Sequence, residues 1–136
     1  MPARSKARKR ALDLLYASEM RRESPVEALE RAVADGEGPT NDYTATLVRG
    51  VVEHQAAIDD LLRDASEGWS LERMPAVDRN VLRMATYEVL YVDDVPDAVA
   101  VSEALQLVRE LSTDDSPGFV NGLLARLLEI KPTLAG

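Results

Sequence analysis

Acid–base or nucleophilic catalysis needs titratable side chains at mutually useful spacing, and this 136-residue chain offers few of them. His54 is the only histidine; it stands in "EHQ" with no serine or acid at a spacing that builds a triad, and reads as a surface or capping residue. The adjacent acids Asp59 and Asp60, Asp93 and Asp94, and Asp114 and Asp115 carry oxygens suited to a hard cation. They lack the glycine turn and terminal Glu of a loop ligand set, and are expected as solvated turn and cap residues. "GEG" at 36–38 follows no strand, so it breaks a helix rather than cradling a phosphate. With no cysteine there is no disulfide, thiolate metal site or thiol nucleophile, which fits a reducing compartment. Neither catalytic residues, a metal nor a cofactor is expected.

The chemistry that remains is cationic and aromatic. Residues 1–10 hold Arg4, Lys6, Arg8, Lys9 and Arg10 and no acid, while the rest of the chain sets 11 basic against 24 acidic side chains, a net charge of −13. Clustered Arg and Lys neutralise phosphates and release counterions, and Arg adds bidentate geometry. The same run is also compatible with a plainly solvated arm. A presequence is disfavoured by Asp13 and Glu19, which follow closely, and a membrane-binding helix by the lack of a Trp or Phe anchor on the other face. The acidic remainder repels nucleic acid at long range, aids solubility, and suits a basic protein partner. Phe119, the only phenylalanine, follows "SPG" at a helix start, where its ring either seals the core or stacks on an unpaired base.

The elements that must position these groups all read as helices. No stretch sustains a period of two, and 46% hydrophobic content over this length can bury the core of a single domain. In the first helix Leu12, Leu15 and Tyr16 form a packing stripe, with Lys6, Lys9 and Arg10 opposite. "SPVE" at 24–27 opens a short helix to about Val33, and Thr40 or Asn41 caps a longer one carrying Leu47, Val51, Ile58, Leu61 and Leu62, ending at Gly68. After a single turn capped by Ser70, "PAVDRNVLRMATYEVLYV" reads as the central and most apolar helix, with Asp78 favoured by the dipole in its first turn. Glu88 shares its apolar sector, and core pairing is preferred there over contact with a partner. The next helix turns Val101, Leu105, Val108 and Leu111 to one side. Ser116 and Pro117 repeat the Ser-Pro start before a stripe of Phe119, Leu123, Leu124, Leu127 and Leu128, and Pro132 closes that helix. No apolar run approaches the roughly 18 residues of a membrane span, and no secretory signal is present, so a soluble, cytoplasmic protein is expected.

Two segments, "VDRNVLRMATYEVLYVDDVPDAVAVSEALQLVRELSTDDSPGFVNGLLARL" at 77–127 and "ARKRALDLLYASE" at 7–19, resemble the bacterial transcription antitermination factor NusB family over nearly half the chain. The resemblance implies an all-α fold of about seven helices in two three-helix bundles within one domain, 1–136, with a basic N-terminal arm at 1–10. It also implies a non-enzymatic protein. Proteins similar to this bind the boxA element of ribosomal RNA transcripts together with NusE, a basic small-subunit ribosomal protein, within an RNA polymerase antitermination complex. Carried over residue by residue, RNA contacts fall on Arg4, Lys6, Arg8, Asp115 and Phe119, and NusE contacts on Tyr16 and Asp78.

The chain departs from the family pattern at Ser102, often Asn, at Ala125, often Asp, and at Pro117 and Gly118, where a polar or basic residue approaches RNA. Some relatives are homodimers, and the sequence leaves monomer and dimer both open. Two competing readings remain: a protein-binding helical scaffold with an idle arm, and a stand-alone relative of the N-terminal domain of rRNA methyltransferases. Against the second, the chain has no room for strands and a glycine-rich cofactor loop.

Overall fold

Helix-start chemistry and apolar spacing place six α-helices: α1 (Ala3–Arg21), α2 (Pro25–Ala34), α3 (Asp42–Ala65), α4 (Ala76–Tyr91), α5 (Asp97–Leu111) and α6 (Ser116–Leu134). A 3-10 turn over Leu71–Arg73 precedes α4. The computed structural model describes residues 2–67 and 70–134, and no strand occurs among them. Among the described residues the all-α expectation holds, with six helices and one short turn against the expected seven or so. Gly68, the expected stop of the third helix, lies outside the described residues; α3 ends at Ala65. The chain divides into two compact units, Met1–His54 and Gln55–Gly136, with the boundary inside α3.

In the first unit, Ser24 Oγ accepts from the Glu27 amide at 3.3 Å and Pro25 takes the first helical position of α2, as the Ser-Pro start predicts. Between α1 and α2, Arg22 adopts a left-handed φ of 56°, and the Glu23 amide reaches back to the Ser18 carbonyl at 3.0 Å, closing the helix without a glycine. Asn41 rather than Thr40 caps α3, its Oδ1 accepting from the Tyr43 amide at 2.8 Å. Thr44 Oγ1 donates to the Ala7 carbonyl at 3.0 Å, tying the start of α3 to α1.

Residues 3–10 belong to α1, so the basic segment is the opening of a helix. The buried stripe of α1 is Ala7, Arg8, Ala11, Leu12, Leu15 and Ser18. Tyr16, expected on that stripe by spacing, is instead 39% exposed.

In the second unit α4, α5 and α6 pack pairwise as a three-helix bundle. The expectation that α4 is the most apolar helix is corrected: it is the most buried, but Asp78, Asn80, Thr86 and Glu88 are four of its nine buried residues. Glu88 is 2% exposed, so its side chain is enclosed. Asp59 is also enclosed rather than solvated. Its two oxygens accept from Arg83 Nε at 2.8 Å and Nη2 at 3.0 Å, a bidentate pair between α3 and α4.

The buried face of α5 is Ala100, Ala104, Leu107 and Val108, turned from the expected Val101, Leu105, Val108 and Leu111. Alanines at i and i+4 let a neighbouring helix approach closely, and the larger Leu111 is left 40% exposed. On α6, Val120, Leu123, Leu124 and Leu127 are buried, while Phe119 and Leu128 are half-buried.

Two helix-end expectations are also corrected. Pro132 does not close α6, because a missing N–H and ring are tolerated in a solvent-facing last turn, and the helix continues to Leu134. Lys131 Nζ, in that turn, donates to Asp97 Oδ1 at 2.9 Å and so fixes it to the start of α5. Ser116 does not cap α6; its hydroxyl turns inward to Asp78. On the surface, Arg63 Nη2 meets Glu72 Oε1 at 3.2 Å. The Glu72 carboxyl is held below its ordinary range by its own backbone amide first and by Arg63 second. Being exposed to solvent, this pair contributes little to the fold.

The Asp59–Arg83 pair is different, since both side chains are nearly enclosed. Arg83→Leu, which strands the Asp59 carboxylate, is expected to lower unfolding free energy by about 3 kcal/mol in urea titration. The Asp59→Leu, Arg83→Leu double replacement should recover most of that loss.

Candidate functional site

A helix N-terminus carries positive partial charge, so cations there work against the fold. Nevertheless α1 has no acid in its first turn and opens with Arg4 and Lys6. Aromatic contact offsets part of this cost. The guanidinium of Arg4 lies 4.3 Å from the centroid of Tyr43, and that of Arg8 lies 5.7 Å from the same ring. Tyr43 is held by the Asn41 cap, and Asn41 Nδ2 also donates to the Ala3 carbonyl at 3.4 Å. Arg8 is only 3% exposed. Of the three basic residues expected at RNA, Arg4 is therefore half-buried against an aromatic ring, Arg8 is enclosed and Lys6 is exposed.

Lys6 and Arg10 face a concavity of about 260 Å³ closed on its other side by Glu37, Gly38, Pro39, Thr40 and Asn41. Arg10 Nη2 donates to the Glu37 carbonyl at 3.1 Å, which orients its guanidinium there. Arg10 and Tyr43 were not among the expected site residues. The i, i+4 spacing of Lys6 and Arg10 was the available signal for the first, whereas the role of Tyr43 is legible only in three dimensions.

In the second unit Asp78, Asp115 and Phe119 come together around a concavity of about 400 Å³, lined also by Arg73, Met74, Pro75, Thr113 and Ser116. Phe119 is half-buried and Asp115 exposed, and the Phe119 amide bonds to the Asp115 carbonyl at 3.2 Å in the first turn of α6. Asp78, by contrast, is 2% exposed, its carboxylate accepting from Ser112 Oγ at 2.6 Å and Ser116 Oγ at 2.8 Å. Arg73 supplies a guanidinium on the concavity that sequence reading passed over, because it sits in a short turn without helical spacing.

Tyr16 stands exposed on α1, with Met20 one turn further along at 52% exposure. His54 is half-buried with Nε2 4.0 Å from Glu53. Among the described residues no group of three His, Cys, Asp or Glu is arranged to hold a metal ion. None of their helices is long and apolar enough to cross a membrane.

Two compact helical units, one with a cationic helix and the other with an aromatic-lined concavity, define an all-α protein built for binding. The chain belongs to the NusB family, which it matches over residues 5–129. It is 70% identical to the transcription antitermination protein NusB of Nocardioides sp. over 135 residues, 99% of this chain and all of that one. Among solved structures it is similar to T. maritima NusB, with a TM-score of 0.84 and 36% identity over 95% of this chain and 92% of that one. It is also similar to a chain in the structure of antitermination factors NusB and NusE in complex with dsRNA, with a TM-score of 0.80 and 26% identity over 93% and 96% of the two chains. The resemblance seen in residues 7–19 and 77–127 is thereby borne out.

The different burial of Arg8 and Lys6 yields a test. Arg8→Ala is expected to lower unfolding free energy by about 1–2 kcal/mol, through lost packing and lost contact with Tyr43. Lys6→Ala should stay within about 0.5 kcal/mol of the parent. Urea titration of the two variants checks both.

Proposed function

We propose that this chain is a non-enzymatic RNA-binding transcription antitermination factor. It takes up the boxA segment of ribosomal RNA transcripts together with NusE and helps RNA polymerase resist termination in the cytoplasm. The observation that carries this reading is the placement of cations. Five basic side chains lie within residues 3–10 of one helix in a chain whose remainder is net −13, and Arg4 and Lys6 occupy its first turn, where the helix dipole makes cations costly. Such an arrangement favours an incoming anion, which meets side-chain charge and dipole together.

Lys6 and Arg4 contact phosphates in this reading, with Arg10 beside them. Arg8 acts from underneath, through the ring it shares with Arg4. Phe119 offers a stacking face for an unpaired base, and Asp115 sets an acceptor near it. The acidic remainder accommodates the basic NusE, and Tyr16, an amphipathic ring left exposed on α1, belongs to that contact. A solved complex of NusB and NusE with dsRNA supports NusE and RNA as the classes of partner.

Binding of a short single-stranded boxA RNA and a scrambled control, with and without NusE, tests the proposal. Three or four phosphate contacts give a slope of log K against log salt of roughly −2 to −3, and Lys6→Ala is expected to make it shallower by about 0.7. NusE should tighten binding of boxA RNA and not of the control. Equal, salt-independent binding to both RNAs would reject the reading.

A further inference from the structure

The chemistry of a hydroxyl resolves the cluster around Asp78. Ser116 Oγ lies 2.8 Å from Asp78 Oδ2, 2.8 Å from Thr113 Oγ1, 3.0 Å from Ser112 Oγ and 3.3 Å from the Thr113 amide. A serine has one proton and two lone pairs. A buried carboxylate only accepts, so the proton of Ser116 goes to Asp78. Its lone pairs then take the Thr113 amide and the Thr113 hydroxyl, which makes Thr113 Oγ1 the donor. Ser112 spends its own proton on Asp78 Oδ1 at 2.6 Å. One carboxylate therefore joins the first turn of α4, the end of α5 and the start of α6, and every donor in the connection has one assigned acceptor.

The segment held in this way is the one that displays the second concavity. Thr113, Asp115, Ser116 and Phe119 all line it, and Phe119 lies three residues beyond the clasped serine on α6. Asp78 itself is 2% exposed and has both oxygens occupied, so it offers little to an outside partner.

The geometry points to Asp78 as a positioning residue: clasped by Ser112 and Ser116, it fixes the turn that presents Asp115 and Phe119 to RNA, and it acts on RNA binding rather than through contact with NusE. This inference rests on the RNA-binding reading above. Asp78→Asn keeps the shape but replaces one charged acceptor oxygen by an NH₂ donor. A charge-assisted bond is then lost, and two donors are set against each other at the other serine.

The test compares the full-length parent, Asp78→Asn, Ser112→Ala, and the double variant Ser112→Ala, Ser116→Ala. Binding to boxA RNA and to purified NusE is measured separately, together with amide hydrogen exchange of the free proteins over 112–119. Asp78→Asn and the serine double variant are expected to exchange faster at Thr113 and Phe119. They should bind RNA about 5- to 10-fold more weakly while NusE affinity stays within about twofold, and Ser112→Ala should show a smaller shift in the same direction. Equal weakening of both partners would mark a general loss of stability and overturn the inference. Loss of NusE binding with RNA binding intact would make Asp78 a partner contact and overturn the inference, as would unchanged exchange over 112–119. Failure of the parent protein to bind boxA RNA would remove the function reading instead, while the exchange measurement would still decide whether the clasp holds the turn.

Discussion

A charged group taken out of water must be met by another polar or π-electron group, and this fold takes several out of water. Arg8, Asp59, Asp78 and Glu88 are all buried. Arg8 finds the Tyr43 ring, Asp59 finds the fork of Arg83, and Asp78 finds two serine hydroxyls. Each solution ties together elements distant in sequence: α1 to the start of α3, α3 to α4, and α4 to both ends of the α5–α6 connection. Apolar packing supplies the bulk of the stabilisation, and interdigitated side chains narrow the arrangements one helix can take on another. The polar clasps have fixed geometry and select one arrangement, which is what surfaces displayed at helix ends require.

Those surfaces differ in character within each unit. The first unit collects cations at the opening of α1 and holds them by cation–π contact and a capped neighbouring helix. The second builds an aromatic-lined concavity at the junction of α5 and α6, with a guanidinium from Arg73 and a carboxylate from Asp115 on its lining. A nucleic acid needs charge for its backbone and flat surface for its bases. A basic protein partner is suited by the net charge of −13 on the remaining chain.

Much of this was legible in the sequence where local rules decide the outcome. The Ser24-Pro25 start, the Asn41 cap and the aliphatic positions of α3 and α6 follow from capping chemistry and period, and the family resemblance rested on residues 77–127. What was not legible depends on partners far along the chain. The phase of α5 is not legible because Ala100 and Ala104 are too small to register as anchors, although close approach of helices needs small residues. Tyr16 reads as core by spacing and is exposed, because a stripe does not reveal how wide the covering neighbour is. Asp59 resembles a solvated acid until Arg83, 24 residues later, is brought against it. Ser116 carries a capping signature, yet its hydroxyl donates to a buried carboxylate 38 residues upstream.

The central claim, that this chain lets RNA polymerase pass a terminator by engaging boxA together with NusE, is tested most directly by transcription itself. The measurement is read-through past a terminator placed downstream of a boxA-bearing leader, reconstituted with NusE and the antitermination factors, with and without this chain. The account predicts that read-through rises when the chain is added and that the rise disappears when boxA is scrambled. Equal read-through with and without the chain, at concentrations where it saturates NusE, would contradict it.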